Sequence, residues 1–156
     1  MFDHKPLVRA AALAVGLAGA QAAVAEAVTY TGSGNVQGEQ DLMPLASGDA
    51  VVLGTVVGVV AISTEPPSIL DVRCSGMGIA KREGEFGSVL YCAFTDPLDQ
   101  IHGFDVKGIE RGKQVSLEVV GGSGRWAGAS GKGMLDKVRD WADGGSFTFE
   151  LTIDTP

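Results

Sequence analysis

The sequence predicts an all-β protein folded as a single antiparallel eight-stranded barrel, and three observations carry that expectation. Runs of β-branched and aromatic residues recur along the chain, separated by turns rich in glycine, proline and aspartate about every 8 to 12 residues. The last run alternates cleanly, with Phe147, Phe149, Leu151 and Ile153 on one face and Thr148, Glu150, Thr152 and Asp154 on the other. No 3.6-residue apolar stripe appears beyond the N-terminal segment. About eight such runs fit a barrel or a sandwich, and the closed barrel is preferred because closure removes exposed sheet edges.

The chain opens differently. Residues 1–25 have the layout of a secretory signal peptide: Lys5 and Arg9 form a positive end, residues 10–20 an uncharged apolar run, and Ala23-Val24-Ala25 a small-x-small cleavage site. Cleavage is expected after Ala25, with Ala22 or Ala27 as alternatives. The apolar run falls short of the roughly 20 residues that span a bilayer, and no cysteine at the junction favours a lipid anchor. The mature chain, 26–156, is expected to form one domain in the periplasm or outside the cell.

Composition agrees with one globular domain: 156 residues, 45% of them hydrophobic. Cleavage removes Asp3, Lys5 and Arg9, one acid and two bases, which takes the formal charge from -7 to -8. An acidic chain repels phosphate backbones and anionic lipid heads, so nucleic acid is not an expected partner. Cys74 and Cys92 both lie in the exported part, where an oxidising compartment favours a disulfide. A metal site or reactive thiol lacks support, with no CxxC and with His102 the one histidine left after cleavage.

Taken in order, residues 28–34 read as the first strand, and the polar segment 35–49, which holds Pro44, as a long connection. Residues 51–62 form the most apolar run of the mature chain; dense valine and interior glycines argue for one long or bent strand. Both of its faces are apolar, Val51/Leu53/Val57/Val59 against Val52/Val56/Val60/Ile62. The outer face therefore needs cover, either from the 35–49 connection or from a subunit interface. Pro66 and Pro67 stop this strand, 69–74 begins another, and 76–87, with four glycines and several charges, reads as an irregular connection. Strands follow at 88–95, 101–107, 114–120, 134–138 and 146–154. Turns are expected at Asp96-Pro97-Leu98-Asp99, as a polar hairpin loop over 108–113, and at 140–145.

The stretch 119–133, Val-Val-Gly-Gly-Ser-Gly-Arg-Trp-Ala-Gly-Ala-Ser-Gly-Lys-Gly, reads as a strand end, a glycine turn carrying one large aromatic, and the next strand. Gly121, Gly122, Gly124, Gly128 and Gly131 are the structural turn residues, and Trp126 can fold inward to plug one barrel end or touch a ligand there. Phosphate binding fails on spacing. A P-loop would put Trp126 at its first glycine and needs Ser or Thr where Gly133 stands, and the dinucleotide GxGxxG is exceeded by one residue in Gly122 to Gly128.

Val119 to Trp126 resembles the Val-Val-Gly-Gly-Thr-Gly-x-Phe signature of plant dirigent proteins, and Gly121 to Gly131 resembles the Gly-Gly-Ser-Gly-x-Phe-x-Gly-x-x-Gly stretch of allene oxide cyclases. The resemblance covers about fifteen residues, with Trp126 in place of the usual Phe. It implies a calycin-like, eight-stranded antiparallel barrel with a hydrophobic cavity, assembled as a trimer, in what looks like a bacterial exported relative. The polar cavity residues of those families find no counterparts by position here, so none is carried over.

Candidate chemistry is sparse. Asp96 and Asp99 precede His102, but the set is too small for a metal site, and neither this loop nor 140–144 has the calcium-loop pattern. No Gly-x-Ser-x-Gly elbow occurs, and Ser123 serves the turn. No motif requires a cofactor. Tyr91, Arg73, Glu118 and Glu150 are the candidate acid-base groups if they face a dry cavity, with Glu150 expected outside. Trp126, Tyr91 and Arg73 are the candidate ligand contacts. Three functions remain in play: a non-enzymatic exported barrel binding a small apolar molecule inside, a cyclase or isomerase that templates a reactive intermediate, and an oligomeric module of the cell envelope. The first requires an enclosed cavity beyond about 300 Å³, and the second a buried ionisable residue facing an apolar cavity.

Overall fold

A computed structural model describes residues 26–64, 66–98, 102–112, 114–139 and 144–156; the segment expected to be a signal peptide, Asp99 and most of the turn expected over 140–145 lie outside them. Eight strands, β1 (Glu26–Pro44), β2 (Ala50–Ile62), β3 (Ser68–Ala80), β4 (Phe86–Thr95), β5 (Gly103–Arg111), β6 (Gln114–Ser123), β7 (Ser130–Lys137) and β8 (Gly145–Thr155), follow one another around a closed barrel. Every neighbouring pair is antiparallel, and β1 pairs with β8 to close the ring. The all-β class, the strand number and the closure are those predicted.

Alternation decides what goes inside. Val52, Val56, Val60 and Ile62 of β2 are buried, as are Leu70 and Val72 of β3, Val106 of β5, Val115, Leu117 and Val119 of β6, and Phe147, Phe149, Leu151 and Ile153 of β8. Burying each such side chain contributes about 1.5–3 kcal/mol. Two aromatic rings need glycine partners to fit. Gly32 pairs with Phe149 and Gly34 with Phe147, and a Cβ on either glycine would fall within 2.5 Å of the facing ring, so the rings lie flat over bare backbone.

Cys74 and Cys92 are register partners on β3 and β4, both turned toward the interior, and they form the disulfide. Asp96 caps its turn by accepting a hydrogen bond from the Leu98 N–H.

Three expectations are corrected. Residues 35–44 are not a connection: β1 runs on to Pro44, paired with β2 along its length, and only 45–49 form the loop. Beside β2 rather than across it, this segment leaves Leu53, Val57 and Val59 about half exposed (49%, 52% and 49%). Most of 76–87 is strand as well, because Gly76 and Gly78 let β3 approach β4 closely; a Cβ on Gly76 would lie 2.3 Å from the Val89 carbonyl oxygen. Finally, 108–113 is mostly strand. β5 continues through Arg111, paired with β6 up to Gln114.

Candidate functional site

The two barrel ends differ. At one, β6 leads into a 3-10 turn, Gly124–Trp126, before β7 begins. Gly124 supplies the left-handed backbone there (φ +61), with the His102 ring packed where a Cβ would go. Trp126 folds inward and is 5% exposed. Its ring meets Phe104 at 5.0 Å and Tyr30 at 5.6 Å, both edge-on, and Phe104 stacks on Phe94 at 5.1 Å. This aromatic group closes the end by packing. Gly131 and Gly133 act on the return strand, where a Cβ at either would fall 2.1 Å from a β8 carbonyl oxygen.

Between the ends the interior is filled. The residual cavity amounts to 30 Å³ and is lined by apolar side chains such as Val56, Val72, Phe94, Val106 and Phe147, together with the disulfide. A space of that size and lining stays dry. It is far below the several hundred Å³ of a small-molecule chamber, so the described residues do not enclose here the interior chamber expected for an apolar ligand. The physical reason is the diameter of an eight-stranded barrel, which inward side chains of Val, Leu and Phe size suffice to fill.

The other end holds the chemistry. Glu110, on β5, points inward and is 4% exposed. Its register partner across β4 is Ser88, whose hydroxyl donates to Glu110 Oε2 at 2.7 Å. Lys137, from β7, donates through Nζ to Glu110 Oε1. The Lys137 ammonium also stands 5.9 Å from the Phe86 ring centre, at the outer reach of a cation–π contact. A buried ion pair recovers its desolvation cost only when its hydrogen bonds are well made; here both carboxylate oxygens have donors. Around the cluster lies a hollow of 60 Å³ walled by Val52, Val56, Phe86 and Leu90, with Gln40 and the glycines 54, 76 and 78 completing it. The space has room for a few waters.

The sequence-predicted site residues fall elsewhere. Trp126 is at the opposite end. Tyr91 and Arg73 stand on the outer surface, exposed, because they alternate with the inward Cys92 and Cys74. Neither can touch anything inside the barrel. Glu118 is exposed, Glu150 is exposed as expected, and Ser123 flanks the 3-10 turn. His102 is exposed and packs on Gly124, joined to Asp96 through a backbone hydrogen bond. Among the described residues no three His, Cys, Asp or Glu side chains converge as metal ligands. Ser88, Glu110 and Lys137 went unnoticed in the sequence. Glu110 shares its parity with Phe104, Val106 and Gly108, and extending that alternation two residues further would have turned it inward.

Fold and site together define a small closed barrel with a filled waist, one aromatic end and one charged end hollow. Among solved structures it is similar to a pterocarpan synthase dirigent protein, at 12% identity over 87% of this chain and 88% of that chain, with a TM-score of 0.54. No protein-family model matches the sequence, and no curated protein matches it. At that identity the likeness is one of fold.

Proposed function

We propose that this protein is an exported barrel that binds a ligand at the open mouth of its charged end, over Glu110, rather than in an enclosed chamber: neither the interior nor the 60 Å³ hollow reaches the about 300 Å³ that an enclosed site requires. The carrying observation is Glu110 itself: a carboxylate 4% exposed, held by Ser88 and Lys137, at the edge of a space whose remaining wall is hydrocarbon, glycine backbone and the Gln40 side chain. Buried polar clusters beside an open apolar pocket are where ligands gain orientation as well as contact area. Export is supported by the layout of residues 1–25 and by the disulfide, which persists in oxidising compartments.

The test is a crystal structure of the protein isolated from its own host. Ligand density against Glu110 is the expected result. An empty mouth, together with no mass released on denaturation, would remove the reading.

A second reading, a template for a reactive intermediate, is favoured by the same carboxylate, since it supplies the buried ionisable group that such chemistry requires. The structural neighbour is by name a synthase. Turnover that vanishes in Glu110→Gln while ligand still binds would separate catalysis from simple binding.

Self-association also belongs to the proposal. Leu53, Met77 and Val89 are successive cross-strand partners on the outer face of β2, β3 and β4, and each is at least 39% exposed. With Val57, Val59, Ile69 and Ile79 they form an apolar sheet face that a second copy would cover.

A further inference from the structure

We propose that the open edge of β1 takes up, as an added strand, an extended segment of a partner protein that carries basic residues at alternate positions. The inference is carried by backbone pairing and stands apart from the ligand reading above.

β1 outruns the strand beside it. It pairs with β8 only as far as Val36, opposite Gly145, but with β2 as far as Pro44. Among the described residues, no strand pairs with residues 37–44 on the β8 side. Parity decides which backbone groups this leaves. The Leu45 N–H donates to the Asp49 carbonyl and the Ser63 N–H to the Thr31 carbonyl, so the odd-numbered residues of β1 between them turn their N–H and C=O toward β2. Gly38, Gln40 and Leu42 turn theirs the other way, toward the open side. Pro44 ends the row, having no N–H to give. The alternating donors and acceptors of these residues are what an added strand bonds to.

Side chains choose the partner. Glu39 and Asp41 project from the outer face of this edge, both exposed, and neither has an ion-pair partner among the described residues. A second copy fits badly. In the two-fold register that uses Gly38, Gln40 and Leu42 together, Gln40 faces its own copy and Asp41 lies directly opposite Glu39, where like charges repel. The formal charge of -7 adds to that repulsion. Charges on an edge suppress self-pairing, and these same two carboxylates attract a strand with Lys or Arg opposite each of them. Leu42, 67% exposed on the other face of β1, offers contact to apolar residues alternating with those bases.

The experiment titrates the purified protein, disulfide intact, with two end-blocked peptides, Val-Lys-Val-Lys-Val and Val-Glu-Val-Glu-Val, read by amide NMR shifts and hydrogen exchange. The lysine peptide is expected to shift the Gly38, Gln40 and Leu42 amides and to slow their exchange, with the glutamate peptide roughly tenfold weaker. Gln40→Pro removes a donor that β2 does not use, so the barrel should stay folded while lysine-peptide affinity falls roughly tenfold. Glu39→Lys with Asp41→Lys should turn the preference to the glutamate peptide. Equal affinity for both peptides would overturn the basic partner. Lysine-peptide shifts without slowed exchange at those amides, or unchanged binding in folded Gln40→Pro, would overturn strand addition. A dimer in sedimentation that Gln40→Pro dissolves would give the edge to a second copy and overturn the proposal. No shift from either peptide up to its solubility limit would overturn it outright, leaving Glu39 and Asp41 as guards of the edge. Should Gln40→Pro fail to fold, the native titration and the double lysine variant decide the matter.

Discussion

Phe104 meets Trp126 edge-on, with ring centres 5.0 Å apart and planes inclined at 62°. The contact joins the 3-10 turn to β5 and closes one end of the barrel. Trp126→Ala should therefore cost about 3–5 kcal/mol, the usual loss for a buried aromatic. Trp126→Phe keeps a ring against Phe104 and should cost less than half as much. Urea unfolding midpoints followed by circular dichroism measure both, and equal losses would show that the ring contacts contribute little.

Glu110 and Lys137 should respond as a coupled pair. Removing either partner alone leaves a buried charge without its counter-ion, at a cost of about 3–5 kcal/mol. Replacing both by hydrocarbon, as in Glu110→Leu with Lys137→Met, should cost less than the sum of the single changes. A double-mutant cycle gives the coupling directly, and strictly additive losses would deny the pair.

Lys81 and Glu85 provide the contrast, an exposed pair across a hairpin turn with Nζ to Oε2 at 2.7 Å. The Lys81 side chain, by hydrogen bond and charge, holds the Glu85 carboxyl below its ordinary range. The stability this adds is present above the unfolded-state pKa of Glu85 and is lost as pH falls through the lowered folded value. Because both groups are fully exposed, solvent screens the effect. Glu85→Gln should leave the melting temperature unchanged at pH 7, as a differential scan will show.

The glycines of the 121–133 stretch should divide sharply. Gly133→Ala places a Cβ 2.1 Å from the Glu150 carbonyl oxygen, so β7 and β8 must separate, and a loss of about 1–3 kcal/mol is expected. Gly121→Ala meets nothing within 4 Å and should be silent. Thermal denaturation of the two variants side by side tests the distinction.

Cys74 and Cys92 should yield no free thiol in denatured, unreduced protein. Changing both to Ser should lower stability by about 3 kcal/mol, the loop-entropy value for this separation. For the outer face, sedimentation should show an oligomer that Met77→Lys dissociates; a strictly monomeric native protein would leave the exposed Leu53, Met77 and Val89 strip without a partner.

The residues themselves determined a good deal. Period-two alternation in 146–154, the valine run at 51–62 and the glycine punctuation specify strands locally, because the side-chain period of two belongs to the chain and not to its neighbours. The pairing of the two cysteines was expected from the export that residues 1–25 suggest, and the inward turn of Trp126 from its place between two strands. What only the tertiary structure decided is which polar residue is buried. Glu110 reads as part of a polar loop until the register of β5 with β4 and β6 extends the strand past it and turns it inward beside Ser88. Lys137 becomes its partner only because β5 and β7 both pair with β6, and the curvature of the sheet brings their inward faces together. The filled waist is likewise a property of barrel diameter and of side chains contributed by all eight strands. No short segment contains that information, and so the hollow beside Glu110 is legible only once the barrel has closed.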